Sequence, residues 1–181
     1  MKSPLGRLEI DPLNITYQDK IAELILQYKP EIVVETGLLS GLGAEFILHA
    51  LDTNKKGRLF SIDPFDEERP TNGQGNTPTV YTQNPIVHPR FKWIRKRSDE
   101  ALEPLFKKVG PFDVFIHDSD HSFECQSYEY EAAWRMVRSG GIIASDDIYW
   151  GTPPHGAWEQ FLSKNGVKAN IAGNAQWFIK P

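Results

Sequence analysis

A chain of 181 residues with a formal net charge of -4 and 40% hydrophobic residues has the size of one domain and enough apolar side chains for one substantial core. That balance gives no electrostatic reason to bind nucleic acid or an anionic membrane surface, and no apolar run approaches the ~20 residues of a membrane span. Lys2 and Arg7 precede no apolar signal-peptide core, and Cys125 is the single cysteine, which predicts a cytoplasmic protein without an intrachain disulfide or a cysteine-based zinc site.

Thr16 is placed to cap a helix running to Tyr28, with Ile21, Leu24, Ile25 and Tyr28 on one face and Pro30 ending it. Glu31 to Glu35 reads as the first strand. Ser40 then opens a helical pattern through Leu51, and Arg58 to Asp63 forms the second strand of a right-handed crossover unit. Residues 64–90 dissolve into Pro, Gly, Asn, Thr and Gln, and a stretch that long inside a compact domain points to a functional loop or an unstructured insertion. Its departure from the end of the second strand favours a lid.

Phe91 to Arg97 reads as the third strand, and its cluster Arg90, Lys92, Arg95, Lys96 and Arg97 suits a protected sheet edge better than a nucleic-acid strip on an acidic chain. Ser98 is expected to cap a helix to Val109. Asp113 to His117 follows as the fourth strand, Ser122 to Val137 as a helix that Ser139-Gly140-Gly141 ends, and Ile142 to Ser145 as the fifth strand. A helix around Ala157 to Lys164 and short strands at Gly166 to Ile171 and Gln176 to Ile179 complete the chain. The predicted fold is α/β, a Rossmann-like doubly wound sheet, mostly parallel with an antiparallel C-terminal strand, making one domain over 1–181.

Four apolar runs end in carboxylates, at Glu35, Asp63, Asp118 and Asp146-Asp147. Continuous apolar runs are strands buried on both faces, and ligands of such sheets bind at the carboxyl ends of the strands. The acids should therefore share one rim. Glu35-Thr36-Gly37-Leu38-Leu39-Ser40-Gly41 lies between a strand and a helix, where glycines let backbone approach a ligand and helix amides bind a carboxylate or phosphate. Asp63 stands where an acid can accept both hydroxyls of a ribose, or can cap its own turn. Together they suggest a nucleoside-containing cofactor. In His117-Asp118-Ser119-Asp120-His121, His117 lies inside the strand and reads as a core histidine. Asp118, Asp146 and Asp147 come from neighbouring strand ends, and three carboxylates gathered without basic partners suit an oxygen-ligated divalent cation. Cys125 reads as a small buried hydrophobe.

On four motifs in order, Val-Val-Glu-Thr-Gly-x-x-x-Gly, Ser-Ile-Asp-Pro, Asp-x-Asp-His and Gly-Gly-Ile-Ile-Ala-x-Asp-Asp, the chain resembles class I S-adenosylmethionine-dependent methyltransferases. Within them it is similar to the small metal-dependent O-methyltransferases of the macrolide-sugar, aminocoumarin-sugar and catechol type. The resemblance implies S-adenosyl-L-methionine as cofactor, with Glu35, Gly37 and Gly41 at its methionine part, Asp63 at the ribose, and Ser98, accompanied by Asp99, at adenine. It implies a divalent cation, Mg2+, on Asp118, Asp146 and Asp147, with His121 or Asp120 as the base, and a small-molecule hydroxyl acceptor such as a sugar or natural product. Trp150, His155 and Trp158 could wall the acceptor or serve as ordinary core and surface aromatics. A homodimer is compatible with the sequence. The alternatives are a non-haem metal hydrolase or oxygenase on His117, Asp118 and His121, a dinucleotide dehydrogenase, which the glycine spacing disfavours, and a nucleoside-binding module without catalysis.

Overall fold

The computed structural model describes residues 16–39, 41–64, 86–148 and 154–181. Among them the elements are α1 (Tyr17–Tyr28), β1 (Ile32–Thr36), α2 (Leu42–Thr53), β2 (Arg58–Ile62), β3 (Phe91–Ile94), α3 (Ser98–Val109), β4 (Phe112–His117), α4 (Phe123–Met136), β5 (Val137–Ser145), α5 (Pro154–Asn165), β6 (Asn170–Ala172) and β7 (Ala175–Ile179). The strands form one sheet in the order β3-β2-β1-β4-β5-β7-β6. Pairing is parallel from β3 through β5 and antiparallel at β5 with β7 and at β7 with β6. This is the expected Rossmann-like α/β sheet with its antiparallel C-terminal end.

Successive residues of a strand point to opposite faces, and here both faces are covered. Val33, Leu59, Val114, Ile116 and Ile142 join Ile21 and Ile25 of α1 and Ile47 and Leu51 of α2 in one core. Their chain neighbours Val34, Phe60, Phe115 and Ile143 join Leu102, Tyr130 and Trp158 in the other. The uninterrupted apolar runs in the sequence are the result of that double burial.

Helix α1 starts with a reciprocal capping box: Asp19 N donates to Thr16 Oγ1 at 3.1 Å while Asp19 Oδ2 accepts from Thr16 N at 3.4 Å. Two boundaries differ from expectation for identifiable reasons. Ser98 does not cap α3; it is the first helical residue, placed where it helps lower the pKa of Glu129 on α4, while the cap position falls to Arg97. Ser139-Gly140-Gly141 does not end a helix either. The chain passes directly from α4 into β5, where Gly140 N donates to Lys180 O and Lys180 N to Gly141 O, both at 2.8 Å. A Cβ on Gly141 would lie 2.8 Å from Asp113 O, so the glycine there permits close strand packing.

Strand β3 lies at the sheet edge, as its basic residues led us to expect, with Arg95 stacked 4.3 Å from the Trp93 ring centre and Arg90 Nε 3.0 Å from Asp52 Oδ1. Residues 65–85, most of the expected lid, lie outside the described residues. No helix among the described residues is long and apolar enough to cross a membrane.

Candidate active site

Strand order reverses direction between β1 and β4, which makes the gap above their carboxyl ends the natural ligand cleft. The parallel ladder continues one residue beyond each strand. Gly37 N donates to Ile62 O at 2.9 Å, Asp63 N to Ile94 O at 3.2 Å, Asp118 N to Thr36 O at 2.9 Å and Asp146 N to His117 O at 3.0 Å. Those bonds hold Gly37, Asp63, Asp118 and Asp146 level along one rim.

On one side of the gap is the glycine turn. Gly37 has φ +85°, and a Cβ there would overlap the Asp118 carbonyl and come within 2.9 Å of Ser119 Cα, so the turn and the β4 end touch backbone to backbone. Gly41, at φ +68°, occupies the cap position of α2 and has no side chain to engage the helix amides, which leaves them available to an anionic group. Asp63 is buried, and its Oδ2 accepts from Leu38 N at 2.8 Å and Leu39 N at 3.3 Å. It therefore shapes the turn after β1.

Glu35 is buried beneath this turn, with Ser61 Oγ donating to its Oε2 at 2.6 Å. Burial pushes its pKa to about 8; the Ser61 bond opposes this and the Asp63 charge adds to it. A carboxyl raised on folding supports the native state below its unfolded pKa and ceases to do so as pH rises through the folded value. The ligand-free protein should thus lose stability on the order of a few kcal/mol from this group between about pH 4.5 and about pH 8. In Glu35→Gln the decline of the melting temperature over that range should be visibly shallower, as scanning calorimetry at several pH values would register. Parallel declines would show that Glu35 carries no such shift.

Across the gap, Asp118, His121 and Asp147 each present a ligand atom within 4.8 Å of the other two, and His121 Nε2 lies 3.7 Å from Asp147 Oδ2. Asp146 is outside that trio; it is buried, and its Oδ1 has no hydrogen-bond partner. Burial, then the charges of Asp146, Glu35 and Asp147, holds the Asp118 carboxyl well above the usual range. Burial likewise lifts Asp146 to about 6. Asp147 sits at φ 51°, a left-handed conformation that Asp tolerates better than most residues and that often accompanies function. Mutually repelling carboxylates with an orphaned buried oxygen and one imidazole fit a hard divalent cation. Burial, then His117, lowers the pKa of His121 and favours its neutral form.

Asp120 is exposed, and its Oδ1 accepts from Ser122 N at 3.0 Å, so its carboxylate closes the turn that leads into α4, which Ser122 caps through Cys125 N. His117 is fully buried with Nδ1 2.6 Å from Glu129 Oε2, the core histidine expected from its place within the strand. It does not join Asp118 and His121 in a ligand group among the described residues. Ser98 and Asp99 lie at the start of α3, beyond the end of β3. Trp158 is buried with Nε1 2.8 Å from Gln176 Oε1 and its ring 4.9 Å from Tyr130, which places it in the core and not on an acceptor wall. Trp150 and the side chain of His155 lie outside the described residues. Cys125 is half-buried, 3.5 Å from Glu129 Oε1, and burial pushes its thiol to about 12, so it is no nucleophile.

Sequence reading missed Glu129. This buried carboxylate accepts from Thr36 Oγ1 at 2.5 Å and Ser119 Oγ at 2.8 Å besides holding His117, and so ties β1, β4 and α4 together directly under the rim. Burial would raise its pKa, but His117, Thr36 and Ser98 outweigh burial and bring it below the ordinary value. The available signal was an acid beside the apolar stripe Tyr130, Ala132 and Ala133.

A family model described as a methyltransferase domain matches residues 34–148. No curated protein matches the chain. Among solved structures, the MycE methyltransferase from the mycinamycin biosynthetic pathway, in complex with Mg, SAH and mycinamycin VI, is 16% identical with a TM-score of 0.63 over 89% of this chain and 48% of that one. This chain thus spans about half the length of MycE. CalS11, a calicheamicin methyltransferase, is 12% identical with a TM-score of 0.69, covering 97% of this chain and 82% of its own. The O-methyltransferase from Bacillus cereus in complex with SAH is 14% identical with a TM-score of 0.64, covering 98% and 87%. At these identities the likeness is one of fold.

Proposed function

The chain belongs to the methyltransferase-domain family, and from that membership we propose that it transfers a methyl group from S-adenosylmethionine to a hydroxyl of a small molecule, a sugar or natural product, with a divalent cation in the site. The observation that carries this reading is the meeting of two half-sites across one gap: a glycine turn with an open helix end, and a cluster in which Asp118 and Asp147, as ligands, bring side-chain oxygens within 4.8 Å of each other and of a His121 nitrogen, joined where Gly37 touches Asp118. The MycE structure holds Mg and SAH together, and the donor set here suits the same pair.

In this reading Gly37 and Gly41 receive the methionine part, Glu35 lies buried beneath it, Asp63 holds both the turn and the ribose, and Ser98 with Asp99 borders adenine. Asp118 and Asp147 supply cation ligands, with Asp146 as the third carboxylate from behind. The cation these carboxylates would hold would lower the pKa of the acceptor hydroxyl, as metals do for water. His121, neutral and beside Asp147, accepts the hydroxyl proton on Nε2; Asp120 is turned toward Ser122 and suits that task less well. Positioning of the two reactants contributes up to ~7–11 kcal/mol, more than a base supplies.

Titration calorimetry with S-adenosylmethionine, NAD and Mg2+ tests this reading. Binding of S-adenosylmethionine and Mg2+ without NAD is expected. Binding of NAD alone would sink it, and binding of the nucleoside with no response to any divalent ion would favour a module without catalysis.

A further inference from the structure

Tyr17, the first residue of α1, is buried at 6% exposure and its hydroxyl has no hydrogen-bond partner. A buried O–H without a partner is destabilising, so one in a native core calls for an explanation. The ring packs in the core that includes Leu38 of the glycine turn and Ala44 in the first turn of α2. Helix α1 ends at Tyr28 just before β1 begins at Ile32, and Ile25 O near its end accepts from Asn54 Nδ2 at 2.7 Å, at the end of α2 remote from the glycine turn, so the first residue of α1 stands at the rim end of the sheet. There burial, and then the charges of Asp118, Asp146, Glu35 and Asp147, raise the pKa of the hydroxyl. None of these carboxylates accepts its proton. It is a neutral donor and acceptor beside a turn whose open helix amides suit a carboxylate, under acids that suit an ammonium.

We propose that the Tyr17 hydroxyl positions the amino-acid end of S-adenosylmethionine, hydrogen-bonding its charged carboxylate or ammonium group where the glycine turn receives the methionine part. This deepens the methyltransferase reading and rests on it. The hydroxyl touches the cofactor away from the transferred methyl, so Tyr17 is a positioning residue. The capping box at Thr16 and Asp19 fixes the first turn of α1 and with it the height of the ring.

The test compares two nucleosides by titration calorimetry. S-adenosylhomocysteine carries the amino-acid end and methylthioadenosine lacks it. Tyr17→Phe keeps the ring and removes only the oxygen, so the ligand-free melting temperature should stay or rise. Its affinity for S-adenosylhomocysteine should fall about tenfold, the low end of what one hydrogen bond to a charged group contributes, while methylthioadenosine binding is unchanged. Tyr17→Met, which fills the space without a hydroxyl, should repeat the pattern. Equal S-adenosylhomocysteine affinity in parent and Tyr17→Phe overturns the inference alone, as does an equal loss for both nucleosides. If the parent protein binds neither nucleoside, the methyltransferase reading falls and the inference with it.

Discussion

Asp118→Ala is expected to lower methyl transfer by about 10³-fold or more while making the metal-free protein harder to melt. The two effects have one cause. Asp118 ends β4 at the point where Gly37 presses on its carbonyl, and its carboxylate shares a 4.8 Å group with His121 and Asp147 while Asp146 and Glu35 repel it from behind. Without a cation that crowding raises the Asp118 pKa and works against the fold near neutral pH. With a cation the same crowding becomes affinity. Removing the carboxylate should relieve the repulsion and, on the proposed mechanism, take away one of the ligands a cation would have, together with on the order of several kcal/mol of charge stabilisation. The measurements are formation of S-adenosylhomocysteine with an acceptor that the parent protein methylates, and melting in the presence of a chelator. Full turnover by Asp118→Ala, or by the parent protein in chelator, would remove the cation from the mechanism.

How much of this was legible in the sequence follows from what each feature depends on. Strands β1, β2, β4 and β5 could be read because burial on two faces leaves a continuous apolar run, and the rim acids could be read because those runs end at them. Gly140-Gly141 was misread because two glycines signal a helix end and a tight strand contact equally well; only the nearness of Asp113 O to Gly141 decides between them. Ser98 looked like a cap because a serine before acids usually is one, yet the helix starts one residue earlier than that and leaves Arg97 in the cap position. Glu129 itself depends on Thr36, 93 positions away, and on His117, so no local pattern announces it. Tyr17 was invisible for the same reason: burial of the ring follows from an amphipathic helix, but an unpartnered hydroxyl is a property of the assembled rim. Trp158 shows the converse, since its position after a strand end says nothing about which way its ring faces.

Gly37→Ala should destabilise the protein by about 2–5 kcal/mol and abolish nucleoside binding, whereas Gly140→Ala should cost only about 1–2 kcal/mol. Both glycines have positive φ, +85° and +76°, so both substitutions carry the penalty of a left-handed Cβ. They differ in what surrounds them. Nothing lies within 4 Å of a Cβ on Gly140, but one on Gly37 would run into the Asp118 carbonyl and Ser119 Cα. That obstacle is backbone, held by the Asp118 N to Thr36 O bond at 2.9 Å and, through Ser119 Oγ, by Glu129 at 2.8 Å, so it cannot yield as a flexible side chain would. Urea denaturation of the two variants reads the difference directly. If Gly37→Ala costs no more than Gly140→Ala, the turn and the β4 end do not touch, and the site is two separate features. A gap between the two costs, accompanied by loss of both nucleoside and Mg2+ binding in Gly37→Ala, would mean that one backbone contact holds both half-sites in register, because shifting the Asp118 backbone moves the carboxylate that faces the cation as well as the floor of the turn.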